Sequence, residues 1–401
     1  DRSPSRGLGD VYKRQPLALV AMRIRATFQL SGQLDDVNAV VRRYAPDWTG
    51  STWAEGLPRN PAAAFRAALT GPANPYPADI SELDLDALAD WHDFCTARGF
   101  KYDRVHEADE TLGMMLRMIA RAGRATPRHD GQKWTVVIDR PDQPVIDHVS
   151  DRNARAFAWE RSYQEPPDAI RVQFADETNG YQPAERIVPW PGHTGPIDLT
   201  EDLPLPGKTD PVEIWREARR AQYEVIHRPD VFTCMQDGAA RVATRGDLVM
   251  GSFQTLDRTL VAARVVRVEG SVIELDERIE MDPAEVYGIR FRVYADEDDS
   301  IGTSLVREIA NTGTETALLR LIVSDAMPAS GDVVHVGPLA TESLPMKILE
   351  IEPAEDFSAR LSLIAAREAL GADWDRLGFI EEGEGPEGET GRVKARPELL
   401  G

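Results

Sequence analysis

Polar residues that could hold a metal ion cluster at two places in the sequence. Asp103, His106, Glu107 and Asp109 lie close together in the chain, and carboxylates with an imidazole are ligands that Zn²⁺ accepts. An apolar helical pattern follows them, so we favour a solvated turn with Asp109 near the helix N-cap. Residues Asp296–Asp299 lack the alternating oxygen ligands and distal glutamate of a calcium loop, which favours a charged hairpin tip. We therefore predict no metal site.

Motifs for catalysis or cofactor binding are missing from the sequence. The seven histidines form no HExxH pair, no serine lies in a GxSxG elbow, and there is no phosphate loop or dinucleotide fingerprint. Paired carboxylates for glycoside hydrolysis remain open, but among 67 acidic residues no pair is singled out. Arg245–Asp247 spells an adhesion tripeptide and is better explained as a turn that leads into a strand. We predict no catalytic and no cofactor-binding residues.

A short β unit occurs twice in the chain. Gly246-Asp247 and Gly331-Asp332 each open a β-branched strand, and the two pairs are 85 residues apart (332 minus 247). Internal copies of a small β unit build barrels, rings and arrays. We therefore predict that these four residues set structural turns, and that valine at either glycine costs about 1 kcal/mol or more if the glycine has positive φ. The apolar runs that follow are 264–268 and 272–275 in the first copy, and 347–351 and 359–364 in the second.

The start of the sequence and its charge limit the functions to consider. Ser5–Gln15 is one reading frame of a transposon adapter used for sequencing libraries, so we expect residues 1–15 to be non-native and the chain to be a fragment of environmental or shotgun origin. A disordered basic arm is the alternative. That stretch has four basic and two acidic residues, a net charge of +2. The rest of the chain therefore has a net charge of −21 minus +2, or −23. Such an acidic chain repels nucleic acid phosphate.

Cysteine content and hydropathy exclude two further classes, disulfide-stabilised proteins and proteins with a membrane-spanning apolar helix. Cys95 and Cys234 are the only cysteines, too few for a disulfide framework and without metal-site spacing, so we expect both to be buried. No apolar run is long enough to span a bilayer.

Helical and strand patterns alternate before residue 231, and strand patterns dominate after it. Asn60-Pro61 and Thr209-Asp210-Pro211 are capping groups followed by a first-turn proline. The fold class predicted is α+β, β-rich and multidomain. Helices are predicted over 62–69, 85–99, 110–122 and 211–227, and strands over 17–30, 133–138, 169–174 and much of 231–364.

Several stretches, taken in order, carry a resemblance to a known family. Gly123-Arg124-Ala125 precedes a glycine turn and Asp139-Arg140-Pro141; Asn153 and Phe157 precede Val172–Asp176; Ala218-Arg219-Arg220 precedes the first Gly-Asp strand. This order, over residues 16–370, resembles the tail tip, or host-specificity, protein J family of lambda-like siphophages and gene transfer agents.

The resemblance implies a non-catalytic virion structural protein, the central hub portion of a tail tip that supports host attachment and genome delivery. It implies a homotrimeric ring with small β-barrel or sandwich domains and a helical insertion. Its partners would be the distal tail, tape measure and tail tip assembly proteins, and a host receptor reached only through missing C-terminal modules. DNA would pass through the lumen without specific binding. The chain would be found at the virion tail tip, and in the bacterial cytoplasm during assembly.

The predicted divisions follow from this family. They are an adapter-derived stretch (1–15), the end of a truncated β hub domain (16–58), a helical insertion (59–140), β strands with a Pro-rich connector (141–208), a connector helix (209–229), a β hub domain with both Gly-Asp units (230–370) and an acidic disordered tail (371–401).

A secreted or periplasmic carbohydrate-binding or carbohydrate-active β protein is the alternative function. Five tryptophans could stack on sugars. Aromatic residues are only 7% of the chain, however, and these tryptophans are scattered over different elements, so core packing explains them more simply. They are Trp48, Trp53, Trp134, Trp159 and Trp190.

Overall fold

The computed structural model describes most of the chain between residues 39 and 366. The described residues are 39–106, 109–140, 143–161, 165–238, 242–256, 260–296, 299, 301–339, 341–355, 357–366 and 394–395. The strand predicted over 17–30 lies outside them. Of the predicted acidic tail, only Lys394 and Ala395 are described, and they pair with a neighbouring strand. The chain forms two compact units: the residues up to Gly123 with Pro127–Val136, and the remainder.

Three helices and a short hairpin build the first unit. Their sequence signals are local: the Asn60 side chain accepts from Ala62 N at the first helix, and Gly99 ends the second helix with φ +68°. The third helix is capped by Thr111, so the cap predicted near Asp109 is wrong by two residues. These elements are β1 (Ala45–Trp48), β2 (Trp53–Gly56), α1 (Pro61–Thr70), α2 (Leu85–Arg98) and α3 (Leu112–Ala122).

The core of this unit is packed around a fully buried tryptophan. Trp91 meets Phe65 edge-on with ring centroids 5.7 Å apart, and its indole N–H donates to Gly123 O at 2.8 Å. Burying the indole is tolerated because its one polar atom has an acceptor. The hairpin of β3 (Ala125–His129) and β4 (Trp134–Ile138) follows and contributes residues to both units.

The second unit is dominated by strands, as predicted for residues 231–364, and the α+β, β-rich class is confirmed. Its one described helix, α4 (Pro211–His227), begins at the predicted cap Asp210. The strands are β5 (Val145–Ser150), β6 (Ala154–Arg161), β7 (Ala169–Asp176), β8 (Gln182–Pro189), β9 (Thr200–Asp202), β10 (Asp230–Gln236), β11 (Leu248–Ser252), β12 (Val261–Glu269), β13 (Val272–Ile279), β14 (Tyr287–Val293), β15 (Thr303–Ile309), β16 (Thr316–Arg320), β17 (Val333–Pro338), β18 (Leu344–Pro353), β19 (Ala359–Ala365) and β20 (Lys394–Ala395).

Three sheets organise these strands. Sheet I has the order β5-β11-β18-β19-β10-β6, sheet II the order β15-β14-β17-β12-β13-β16, and sheet III the order β20-β8-β7-β9. Sheet II closes on itself, because Ala310 N donates to Arg320 O at 2.8 Å and Ile322 N to Glu308 O at 3.0 Å. These bonds join the ends of the two edge strands, so part of the sheet's edge is paired within one chain.

Each sheet encloses its own apolar core. Sheet II surrounds side chains such as Phe291 and Ile289, and sheet I surrounds Phe253 and Leu363, all fully buried. Sheet III packs one face against α4. Cys95 and Cys234 are both buried, as predicted. No helix within the described residues is long and apolar enough to cross a bilayer.

Candidate functional site

The two Gly-Asp pairs form the same turn. Gly246 and Gly331 have φ of +92° and +95°, a region that favours glycine. In each copy the aspartate carboxylate accepts from a backbone N–H three residues earlier, and the glycine N–H donates to a facing strand. These bonds are Thr244 N to Asp247 Oδ2 and Ala329 N to Asp332 Oδ2, both 2.7 Å, and Gly246 N to Ile348 O and Gly331 N to Val265 O, both 2.8 Å.

The two copies exchange strands. The first Gly-Asp strand, β11, pairs in sheet I with β18, which belongs to the second copy, and the second Gly-Asp strand, β17, pairs in sheet II with β12, which belongs to the first. The hairpins β12–β13 and β18–β19 even share an irregularity: the register shifts between Val265 and Arg267 in one, and between Ile348 and Glu350 in the other. The repeat therefore consists of two three-stranded units, β11–β13 and β17–β19, and each unit has one strand paired with the other unit in sheet I and one in sheet II.

The adhesion tripeptide does not present a free carboxylate. Asp247 is 4% exposed, and the Thr244 backbone N–H and hydroxyl both donate to its Oδ2. Its position fits the predicted strand-entry turn.

Three residues of the resemblance motifs meet two other charged residues at one place, which we call the charged junction. It consists of the motif residues Arg124, Asp139 and Arg220 together with Glu217 and Lys347. Arg220 and Lys347 both donate to the Asp139 carboxylate. Arg124 donates to Glu217 at 2.7 Å, and its carbonyl accepts from Asp139 N at 2.7 Å. The junction thereby links the end of β4 to helix α4 and to sheet I.

Electrostatics keeps the charged junction ionised. Burial alone would raise the pKa of Asp139, but the charges of Arg220, Lys347 and Arg228 outweigh it and hold that pKa well below its usual range. Burial lowers the pKa of Lys347, although Asp139 opposes that shift. Charged groups this close are costly unless all are paired, so the junction acts as a specific connection and not as a reactive site.

A second polar cluster lies between sheets I and II. His148 on β5 and His335 on β17 have ring centroids 5.0 Å apart and are 5% and 0% exposed. His148 Nε2 is 2.9 Å from Ser304 Oγ, and Arg290 donates to the same hydroxyl and to Glu342. Burial, with neighbouring positive charge, lowers the pKa of His148 to about 2 and of His335 to about 3.

The polar residues considered for metal binding have other partners. Asp103 receives a two-nitrogen contact from Arg59, and His106 contacts Glu110 and Tyr102. Glu107 lies outside the described residues. Among those that are described, no three His, Cys, Asp or Glu side chains are grouped to hold a metal ion.

The other segment considered for ion binding, residues 296–299, lies in a loop between two strands of sheet II, and residues 297 and 298 are outside the described residues. Asp299 accepts from Ala295 N at 3.0 Å and Gly302 N at 2.8 Å, and these bonds lower its pKa. Its position between β14 and β15 fits the predicted hairpin tip.

The tryptophans considered for sugar stacking do not form one platform. Trp48 and Trp53 lie 5.6 Å apart on the first hairpin, whereas Trp159 is on sheet I and Trp190 packs beside sheet III. Trp159 is the exposed one, at 55%. The nearby His92 has both ring nitrogens in contact with other side chains, Nε2 with Asp47 at 2.8 Å and Nδ1 with Thr96 at 3.4 Å.

The remaining motif residues have structural roles. The Asn153 side chain accepts from Ser150 N and donates to His148 O, so it fixes the turn between β5 and β6. Phe157 stacks on Phe253 with centroids 4.0 Å apart. Asp176 caps the short 3₁₀ turn after β7 by accepting from Thr178 N at 2.8 Å.

Sequence reasoning missed both histidines of the second cluster. The sequence carries a signal for one of them, since His335 is the single polar side chain in the apolar run Val333–Pro338, whereas the strand of His148, Val145–Ser150, also contains Asp147. Nothing in the sequence indicates that the two strands meet.

Comparisons with solved structures find distant likenesses, among them two tail proteins. No protein-family model matches the chain, and no curated protein matches it. A tail protein from Neisseria meningitidis MC58 aligns at a TM-score of 0.29 and 10% identity, covering 54% of this chain and 56% of that one. The 43 kDa tail protein of prophage MuSo2 from Shewanella oneidensis aligns at 0.27 and 10%, covering 70% and 75%. At these scores neither likeness decides the fold or the function.

Proposed function

We propose that this chain is a structural protein of a phage or gene transfer agent tail, and specifically the central hub portion of the tail tip. The observation that carries the proposal is the charged junction. The Gly-Arg-Ala and Asp-Arg-Pro stretches on which the family resemblance rests flank the β3–β4 hairpin. The Ala-Arg-Arg stretch is distant in the sequence, with Arg220 81 residues after Asp139, yet Arg124, Asp139 and Arg220 meet in one largely buried network. Motif residues matched by chance have no reason to converge.

The interlocked sheets suit a part that transmits load. Because β11 pairs with β18 in sheet I and β12 pairs with β17 in sheet II, pulling the two Gly-Asp copies apart requires breaking rows of backbone hydrogen bonds in both sheets and not only side-chain contacts. A closed sheet II also leaves fewer free edges for unwanted pairing. We further propose a homotrimeric ring with an acidic lumen, through which DNA passes without sticking.

Incorporation into particles tests this function. The gene is tagged and co-expressed with the tail genes of its own locus, and purified tails are analysed by mass spectrometry and gold labelling. We expect the chain at one end of the tail. Its absence from tails, or labelling along the tube, would refute the hub assignment. Light scattering tests the ring separately: three copies support it and a monomer excludes it.

No observation favours the carbohydrate alternative. Its tryptophans are divided among separate elements. Glycan-array binding or glycan cleavage by the purified chain would nonetheless support that alternative over the tail hub.

A further inference from the structure

The hairpin between β18 and β19 ends in an exposed aromatic side chain. The loop is closed by Ala354 N donating to Ser358 O at 2.9 Å and Ser358 N to Glu355 O at 3.2 Å. Phe357 precedes Ser358, has φ of +59° and is 79% exposed. The phenyl ring therefore leaves the fold at the tip of the hairpin.

The backbone at this position is suited to another residue type. Hairpin loops that end in a left-handed residue favour glycine or asparagine there, and a bulky aromatic at positive φ is an outlier. The matching hairpin, β12–β13, uses Gly270 with φ +61°. Phe357 thus has an unfavourable backbone conformation, and burial of its ring does not offset that cost. Such a conflict is expected where a residue is kept for function and not for stability.

The charges around Phe357 indicate what it contacts. Residues 349–358 contain four acidic residues and no base. Glu350, Glu352 and Glu355 are exposed, and the nearest base in the register is Arg360, opposite Glu352. An aromatic side chain within an acidic segment is complementary to an apolar pocket rimmed by lysine or arginine.

We propose that Phe357 is an anchor that inserts into a basic-rimmed apolar pocket on a different tail protein. The inference rests on the proposed function, since it takes the partner from the same particle. A second copy of this chain is the alternative occupant, which the cross-linking experiment below distinguishes. A bilayer is a poorer occupant, since its surface is also negative.

Two substitutions separate anchoring from folding. Phe357→Asn and Phe357→Gly both suit the left-handed backbone, so we expect melting temperatures no lower than that of the unsubstituted chain. Incorporation into co-expressed tails should fall at least about tenfold, the loss typical of removing a central aromatic anchor. Tyr76→Asn is the control, because Tyr76 is 88% exposed and outside the hairpin; its incorporation should not change. A lowered melting temperature for both Phe357 variants, or unchanged incorporation, would overturn the anchor.

Photo-crosslinking identifies the occupant. With p-benzoylphenylalanine at position 357, we expect a covalent product with a different tail protein, weakened when sodium chloride rises from about 0.1 M to about 0.5 M during assembly. A product with a second copy or with lipid overturns the proposed partner. If the unsubstituted chain never enters tails, the proposed function fails together with the anchor, whereas failure of the anchor alone leaves the chain in tails with either residue.

Discussion

Acidification should weaken the contact between sheets I and II through the buried histidine pair. Folding holds His148 and His335 neutral, because burial and then the nearby positive charge of Arg290 and Arg292 disfavour protonation. Glu342 pairs with Arg290, and Asp147 lies 3.5 Å from Arg292, so the cluster is balanced only while both rings are neutral. Protonation would add buried charge without a partner.

The sign and size follow from the pKa values. A histidine whose pKa falls from 6.5 to about 3 or about 2 on folding binds fewer protons in the folded state than in the unfolded state. Its contribution to the free energy of unfolding is therefore fully present above pH 6.5 and is lost as pH falls below 6.5, where the unfolded state gains protons. Between pH 7.5 and pH 5.0 the loss is about 2 kcal/mol for each histidine and about 4 kcal/mol for both. That range stays above the titration of ordinary carboxylates.

Native-state hydrogen exchange measures this loss locally. Peptides covering β5 and β17 report the free energy of opening at pH 7.5, 6.5, 5.5 and 5.0, after correction for the intrinsic exchange rate. His335→Phe keeps a planar ring without titratable nitrogens, so it should remove about half of the pH dependence. The control is His129→Phe, at an exposed position at the end of β3, which should leave the dependence unchanged.

Two results would refute the reasoning. One is an opening free energy in these peptides that does not change between pH 7.5 and pH 5.0. The other is a pH dependence that persists in full in the His335→Phe variant, since another group would then be responsible.

Three further predictions concern stability, each checked by urea denaturation. Gly246→Val should lower the free energy of unfolding by about 2 to 4 kcal/mol, because the residue has positive φ and its Cβ would lie 3.2 Å from a methyl group of Val137. Gly331→Val has open space around it and should lower that free energy by only about 1 kcal/mol. Equal costs would contradict this. Asp139→Asn should cost about 2 to 3 kcal/mol at pH 7, at the low end for a broken buried pair because its side chain is 30% exposed; no loss would mean that the charged junction is not stabilising. Gly123→Ala should lower the free energy of unfolding by about 1 to 3 kcal/mol, because the added Cβ would lie 2.7 Å from the indole of Trp91. Gly113→Ala, which lies in open space within the helix that Gly123 ends, should be neutral or stabilising.

Helix ends were predictable because their signals are local. Asn60 and Asp210 cap helices within one or two residues of the predicted starts, and Gly99 ends a helix at the predicted glycine. The third helix differs because Asp109 and Thr111 are both capable caps, and only the backbone path selects Thr111. The β-rich region was predictable from its strand periodicity.

Strand partners and the polar clusters were not predictable in this way. Pairing depends on residues far apart in sequence, so a repeated motif indicates two copies without indicating that they exchange strands. His148 and His335 are separated by most of the second unit; His335 looks like one polar residue in an apolar strand, and His148 lies beside Asp147 in a mixed one. The charged junction was present in the sequence only as separate motifs, whose convergence requires the fold.

The strand exchange sets the order in which this chain can fold. All of sheet II lies in the sequence between β11 and β18, which are neighbours in sheet I, and Val231 on β10 pairs with Ile364, 133 residues later (364 minus 231). During synthesis, sheet II can therefore form while β10 and β11, paired on one side with β6 and β5, still lack β19 and β18 on the other. Such distant pairing is slow, and an incomplete sheet I exposes strand edges that favour aggregation. Preventing early aggregation of those two strands should decide how much folded protein a cell recovers.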